Sequence, residues 1–224
     1  MAQGKETESE ARLYRYTRTV AAALTHVLCV AFTVLLVFLS RPGSSLFSWH
    51  PFLMTVAFSF FMTEAILLFS PHGSPIRKFA HKTKGRIHWT LQVLCVNCAV
   101  VGLAVIAYNK HLNNKPHFTS WHGLLGLTTV CVAGLQSLAA LPLKYHTLAK
   151  GWSLAKLKRY HAASGLVTYL FGCGSLLLGL CSTWFTVSVS SYTWYLSALC
   201  PVLSALVIMD QVSRAYTTKK RLQS

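Results

Sequence analysis

The stretch SWHPFLMTVAFSFFMTEAILLFS, residues 48–70, decides how the rest of this sequence is interpreted. It has the length and apolar character of a membrane-spanning helix, and a histidine, His50, stands at its start. An imidazole at the edge of the lipid phase is costly unless something binds it. The sequence therefore predicts a spanning helix with a functional histidine at one end.

The same arrangement occurs three more times along the chain. His88, His122 and His161 each open a further long apolar run. With one run before this set and one after it, six spanning segments are predicted, at 20–40, 50–70, 88–108, 121–143, 161–184 and 193–213. Backbone groups in lipid must be satisfied within their own segment, so these runs are helices. The predicted fold is an all-α polytopic membrane protein in which four consecutive helices, the second to the fifth, each carry one histidine in the first turn.

Composition supports a membrane protein. Apolar residues make up 53% of the chain and charged residues 12%, whereas a soluble domain carries about 25% charged residues. The net charge of +16 could indicate nucleic-acid binding, but the basic residues lie at the ends of the apolar runs, where they determine topology. All seven cysteines fall inside apolar runs, which favours free thiols over a disulfide framework.

The distribution of basic residues predicts the topology. Of 21 lysines and arginines, 18 lie before the first run, after the last one, or in the loops after the second and fourth runs. The positive-inside rule then places both termini and these two loops in the cytosol. The chain divides into a cytosolic tail, 1–19, a six-helix domain, 20–213, and a second cytosolic tail, 214–224.

This topology arranges the histidines as two pairs. His50 and His122 each begin a helix on the non-cytosolic side, and His88 and His161 each begin one on the cytosolic side, with spacings of 72 and 73 residues. Facing imidazoles within a helix bundle suit bis-histidine haem ligation. Zinc is the competing metal, but the spans supply no matching cysteine or carboxylate beside each pair.

Other polar residues support weaker predictions. Glu64, about 21 Å along its helix from His50, is either a proton partner or the ion-pair partner of a basic loop residue. His26 is expected to be a packed or interfacial residue, while His111 and His117 are candidates to assist a substrate or metal on the non-cytosolic side.

A set of basic residues rims the cytosolic pair and would attract an anionic donor such as ascorbate, namely Lys82, Lys84, Arg86 and Arg159. Topology charge and contact with anionic lipid account equally well for these residues.

Four segments carry a resemblance to a known family: RPGSSLFSWHP, FSFFMTEAILLFSP, LAKLKRYHAASGLV and CPVLSALVIMDQVSRAY. Over essentially its whole length the chain resembles the cytochrome b-561 family of six-helix, two-haem transmembrane reductases. The resemblance implies one haem b between His50 and His122 and another between His88 and His161. Where better-characterised members end their second helix in a Tyr-Arg pair, this chain has Phe69-Ser70-Pro71.

The resemblance also implies an activity. Such proteins oxidise cytosolic ascorbate and reduce monodehydroascorbate radical or ferric iron on the lumenal side. They reside in membranes of the endoplasmic reticulum or of cytoplasmic vesicles, and a homodimer is the expected assembly. Two other functions stay open: a haem-based redox sensor without turnover, and a transporter using the histidines as metal ligands. The transporter is the weaker of these, because the prolines within and beside the apolar runs lie near their ends and do not break helices at mid-membrane.

Overall fold

Six long helices make up the computed structural model of this protein, which describes residues 2–149 and 151–221, with side chains for 8–149 and 151–216. Their bounds are Ala2–Ser40, Leu46–Leu67, His81–Leu112, Trp121–Ala139, Leu154–Leu180 and Ser191–Arg221. They are called the first to the sixth helix below. Short helices in the connections cover Leu141–Lys144, His146–Ala149 and Thr183–Ser188. Each long helix carries a segment long and apolar enough to cross a membrane, which confirms the predicted multi-pass, all-α fold.

Three of the histidine-bearing helices begin earlier than predicted. The prediction that His50, His88 and His161 lie in first turns was wrong, because their helices start one to two turns before them. Only His122 occupies a first turn. Capping explains two of these starts: the side chains of Ser45 and Ser153 accept hydrogen bonds from backbone N–H groups three residues later. Polar residues outside the apolar run thus still belong to the helix.

The second helix contains a π-helical segment, Thr55–Met62, at mid-length. A π turn uses one more residue per hydrogen-bonded ring than an α turn, and such segments are frequent at functional sites. The half of the helix beyond it is therefore rotated from where a continuous α-helix would place it. At the junction, the Thr63 hydroxyl donates to the Phe58 carbonyl and lies 3.0 Å from the hydroxyl of Tyr169 on the fifth helix.

The second to fifth helices form the core of the bundle. Their buried side chains meet in one cluster around Phe58, Cys95, Val130 and Tyr169. The first and sixth helices pack outside this core, and a second cluster, which includes Cys29, Phe32, Phe185 and Cys200, joins them to the end of the fifth helix. All seven cysteines are free thiols.

The first and sixth helices extend past the membrane at the same end. The first has 39 residues, which is about 58 Å at 1.5 Å per residue, against about 30 Å of hydrocarbon. Arg18 lies 2.9 Å from Asp210, which also pairs with Arg214 at 2.5 Å. The predicted tails are thus helical over 2–19 and 214–221. We call the end that carries both termini and the loops 68–80 and 145–153 the basic end.

The loop 68–80 packs closely on the first helix at Gly73, which supports a stability prediction. A Cβ at Gly73 would lie 2.2 Å from the Cβ of Ala22. Gly73→Ala should therefore push the loop away and destabilise the protein by about 1–3 kcal/mol, as overpacking does elsewhere. Thermal unfolding in detergent measures this effect.

Gly85→Ala is the matched control, because a Cβ at that helical position meets nothing within 4 Å. Alanine favours a helix over glycine by up to about 1 kcal/mol, so this variant should melt at or above the wild-type temperature. Equal melting temperatures for Gly73→Ala and wild type would contradict the close packing.

Candidate functional site

The histidine rings of the second and fourth helices face one another at the end opposite the basic end. The ring centres of His50 and His122 are 6.1 Å apart, and the rings are inclined at 81°. The Nδ1 atom of His50 lies 3.1 Å from the carbonyl oxygen of Gly102. The Nδ1 atom of His122 lies 3.0 Å from the carbonyl oxygen of Ser175. Both imidazoles are thus oriented by backbone of the next helix along the chain.

A second facing pair lies at the basic end. The ring centres of His88 and His161 are also 6.1 Å apart, at an interplanar angle of 83°. The Nδ1 atom of His88 lies 2.9 Å from the carbonyl oxygen of Ala65. The Nδ1 atom of His161 instead lies 3.0 Å from the side-chain amide nitrogen of Gln136. The structure brings together the two pairs that the resemblance implied.

Three of these contacts define which ring nitrogen is available to a ligand. A carbonyl oxygen only accepts, so Nδ1 of His50, His88 and His122 carries the proton and donates it. Nε2 of each of these rings is then unprotonated and is the nitrogen that can bind a metal. Metal-binding histidines characteristically donate their other ring nitrogen to a carbonyl or carboxylate in this way.

The gap within each pair has the size that one metal ion requires. Bonds of about 2 Å from a metal to each imidazole nitrogen separate the two nitrogens by about 4 Å. The distance from each ring centre to its own nitrogen accounts for the rest of the 6.1 Å between the two ring centres. Within residues 8–149 and 151–216, no three histidine, cysteine, aspartate or glutamate side chains cluster closely enough to hold a metal. A metal between either pair therefore takes its other ligands from another molecule, and the four nitrogens of a porphyrin suit that role.

A cavity of about 280 Å³ adjoins the His50–His122 pair. Its wall is mostly apolar, as a porphyrin face requires, with polar groups from Lys110, His117 and Ser120. Gly179 leaves space for the imidazole, because a Cβ there would lie 3.2 Å from Cε1 of His122. The residues present fit a haem at this pair, and His117, unlike His111, lines the cavity.

The two pairs occupy different depths of the bundle. His50 and Ala65, whose carbonyl orients His88, lie on the same helix. Ala65 is fifteen positions after His50, which corresponds to about 22 Å along a helix axis. The pairs therefore lie near opposite ends of the spanning region.

The four basic residues predicted to rim the site differ in exposure. Lys82, Arg86 and Arg159 are exposed, as a docking rim requires. Lys84 is buried, with 7% of its surface accessible, and lies one turn before His88 on the same helix. Nothing in the sequence distinguishes Lys84 from the other three basic residues in this way.

Glu64 has a partner on the first helix that the sequence does not indicate. Its carboxylate lies 2.7 Å from Nδ1 of His26, and Nε2 of His26 lies 3.0 Å from the carbonyl oxygen of Gly73. Of the two predictions for Glu64, ion pairing was right in kind, but the partner is on the first helix and not in a basic loop. The pair ties the first helix to the segment that orients His88.

Comparison with known proteins identifies the family. Residues 49–186, which include all four paired histidines, match the family model for eukaryotic cytochrome b561. The chain belongs to the cytochrome b561 family. Membership implies haem b as a cofactor and confirms the resemblance inferred from the sequence.

Named relatives of this cytochrome b561 protein are reductases. It is 52% identical over 223 residues to the transmembrane reductase CYB561D2 of Bos taurus, a match covering 100% of both chains. It is 42% identical over 214 residues to the probable transmembrane reductase CYB561D1 of Mus musculus, covering 96% of this chain and 93% of the relative. Identity is 27% over 139 residues to the plasma membrane ascorbate-dependent reductase CYBRD1 of Xenopus tropicalis, covering 62% of this chain and 48% of the relative. The first two matches, which cover nearly all of both chains, support an oxidoreductase activity.

The glycine beside His122 supports a prediction about cofactor binding. Gly179→Leu should drive the His122 ring out of position, because even a Cβ there meets the imidazole at 3.2 Å. The purified variant should lose about half of its haem, measured per mole of protein by absorbance. Gly134→Leu is the control, since a Cβ at that position meets nothing within 4 Å. Equal haem content in the two variants would contradict a cofactor beside His122.

Proposed function

We propose that this protein transfers electrons across a membrane through two haems b, oxidising cytosolic ascorbate and reducing monodehydroascorbate radical or ferric iron on the lumenal side. The observation that carries the proposal is the presence of two facing imidazole pairs, each with ring centres 6.1 Å apart, at opposite ends of one bundle. Reductase relatives support the reaction class, and the name of the Xenopus tropicalis relative supports ascorbate as donor.

The paired histidines have the central role in this proposal. His88 and His161 hold the haem nearer the basic end, and His50 and His122 hold the other. Bound haem supplies one-electron chemistry by alternating between ferric and ferrous iron. The chain fixes the imidazoles through their Nδ1 contacts and surrounds them with apolar side chains, which exclude water and thereby tune the potentials.

The basic end is suited to an anionic donor. Lys82, Arg86 and Arg159 are exposed there, and Lys84 adds a charge one turn below His88. Partial burial and then three nearby guanidinium groups lower the pKa of His72, in the loop after the second helix. A field that disfavours a proton on His72 also attracts the anionic ascorbate.

The opposite end carries fewer charges. Among the lysines and arginines within residues 8–149 and 151–216, only Arg41, Lys110 and Lys115 lie there. Lys110 and His117 line the cavity beside His50 and His122, and would receive the acceptor at the exposed edge of that site. The charge difference supports cytosolic termini, with the acceptor end facing the lumen of the endoplasmic reticulum or a vesicle.

Histidine variants test the proposal directly. His50→Ala and His88→Ala should each retain about half of the haem, because each removes a ligand from one pair only. Wild-type protein should show a low-spin b-type absorption spectrum that ascorbate reduces. His111→Ala, which changes an exposed histidine outside the cavity, is the control and should keep the full haem content. Full haem content in His50→Ala or His88→Ala would contradict the ligand assignment, and wild-type haem that ascorbate leaves oxidised would contradict the donor.

Charge removal at the basic end tests the donor site. The combined variant Lys82→Gln, Arg86→Gln and Arg159→Gln should be reduced by ascorbate about tenfold more slowly at low ionic strength, because attraction of the anion is weaker. Added salt should shrink this difference. Stopped-flow absorbance gives the rates.

The control for this experiment removes charge from the opposite end. Arg41→Gln combined with Lys115→Gln should leave the rate of reduction by ascorbate unchanged. A loss of rate equal to that of the basic-end variant would mean that ascorbate does not dock at the basic end.

A further inference from the structure

Gln136 distinguishes His161 from the other three paired histidines. Nδ1 of His50, His88 and His122 faces a backbone carbonyl, which can only accept a hydrogen bond. Nδ1 of His161 faces a side-chain amide, which offers an acceptor on one side and a donor on the other. His161 is thus the one member of the four whose partner can change its hydrogen-bonding character by rotation.

The amide of Gln136 lies within a small network on the fourth and fifth helices. Its nitrogen is 3.0 Å from Nδ1 of His161 and 2.7 Å from the carbonyl oxygen of His161. Its oxygen accepts from the hydroxyl of Ser164 at 2.8 Å, and that hydroxyl is also 2.7 Å from the carbonyl oxygen of Tyr160. A Cβ at Gly165 would lie 3.1 Å from the amide nitrogen, so a glycine leaves the space that Gln136 occupies.

Metal binding changes what His161 needs from this network. A neutral imidazole carries one N–H, so a ring that binds iron through Nε2 carries its proton on Nδ1. That proton requires an acceptor, and the amide nitrogen is a donor. Half a turn of the amide places its oxygen at Nδ1 and its nitrogen at Ser164, whose own proton can go to the Tyr160 carbonyl. The turn gives up the contact with the His161 carbonyl, which lies within the fifth helix.

We propose that Gln136 is the positioning residue for His161: its amide oxygen accepts the Nδ1 proton when His161 binds haem iron, and this bond sets the ligand strength at the basic end. A hydrogen-bond acceptor on Nδ1 makes the imidazole a stronger base and so favours ferric over ferrous iron. The basic-end haem therefore has a potential that a side chain can alter, whereas both histidines of the other haem are oriented by backbone carbonyls. The proposal rests on the haem assignment made under Proposed function.

Two substitutions of Gln136 should move one potential in opposite directions. Gln136→Leu removes the acceptor and should raise the midpoint potential of the basic-end haem, by about 59 mV for a tenfold change in the ferric-to-ferrous equilibrium. Gln136→Glu keeps the shape and puts only oxygens beside Nδ1, so it should lower that potential. Optical redox titration of the purified, haem-loaded protein resolves the two components, and His88→Ala identifies which one belongs to the basic end.

Asn97→Leu is the matched control. Asn97 is an amide on the third helix that donates to the Val93 carbonyl and is exposed, so its loss should shift neither component. Gln136→Leu is not usable if it loses the basic-end haem. In that case the shift of the midpoint potential in Gln136→Glu, together with the low-spin ferric electron paramagnetic resonance signal of that haem, decides whether Gln136 acts on His161.

The outcomes separate this inference from the function on which it rests. Opposite shifts confined to the basic-end component support the role of Gln136. Unchanged potentials in Gln136→Glu, shifts of the same sign in both variants, or an equal shift in Asn97→Leu would overturn it while two haems remain. A wild-type protein with one haem component or none would instead overturn the proposed function.

Discussion

The need to satisfy a polar imidazole inside a membrane is the constraint on which this structure depends. Each paired histidine meets it through the neighbouring helix: the second and third helices exchange contacts at His50 and His88, and the fourth and fifth at His122 and His161. At His50, His88 and His122 the carbonyl contact occupies Nδ1 and leaves Nε2 as the nitrogen that can bind a metal. The contacts that orient these imidazoles also join neighbouring helices of the bundle.

These exchanges divide the core into two helix pairs that meet at the histidines. One helix pair consists of the second and third helices, and the other consists of the fourth and fifth. Each two facing histidine rings come from different helix pairs. A cofactor between the rings would add a bond across the bundle at both ends. The first and sixth helices lie outside this core, and the His26–Glu64 contact links the first helix to the segment that orients His88. Changes in the first helix can thus reach the basic-end site through one side-chain contact.

Much of the fold could be predicted from the sequence, because apolar length and basic loops report directly on the lipid environment. The four histidines were found by their recurrence at the start of successive apolar runs. The starts of these helices could not be predicted, because capping by Ser45 and Ser153 extends the helices through polar sequence that hydropathy assigns to loops. The π-helical segment left no local signal, because it follows from packing between helices and not from the residues of the segment alone.

The finer parts of the site depend on contacts between distant positions. Gln136 and His161 are 25 residues apart, and His26 and Glu64 are 38 apart. No periodicity connects such pairs, so a polar residue within an apolar run can be noticed in sequence but its partner cannot. Glu64 stands out in the sequence as a charged residue in an apolar run, whereas Gln136, which is also within an apolar run, is uncharged and does not.

Whether the two sites form one path for electrons across the membrane can be measured in sealed vesicles. The protein would be reconstituted into liposomes that contain a membrane-impermeant ferric complex, with ascorbate added outside and the ferrous product measured inside. Wild-type protein should reduce the enclosed iron, and both His50→Ala and His88→Ala should lose this activity, because each pair serves one half of the path. Haems that ascorbate reduces while the enclosed iron stays ferric would contradict electron transfer across the membrane.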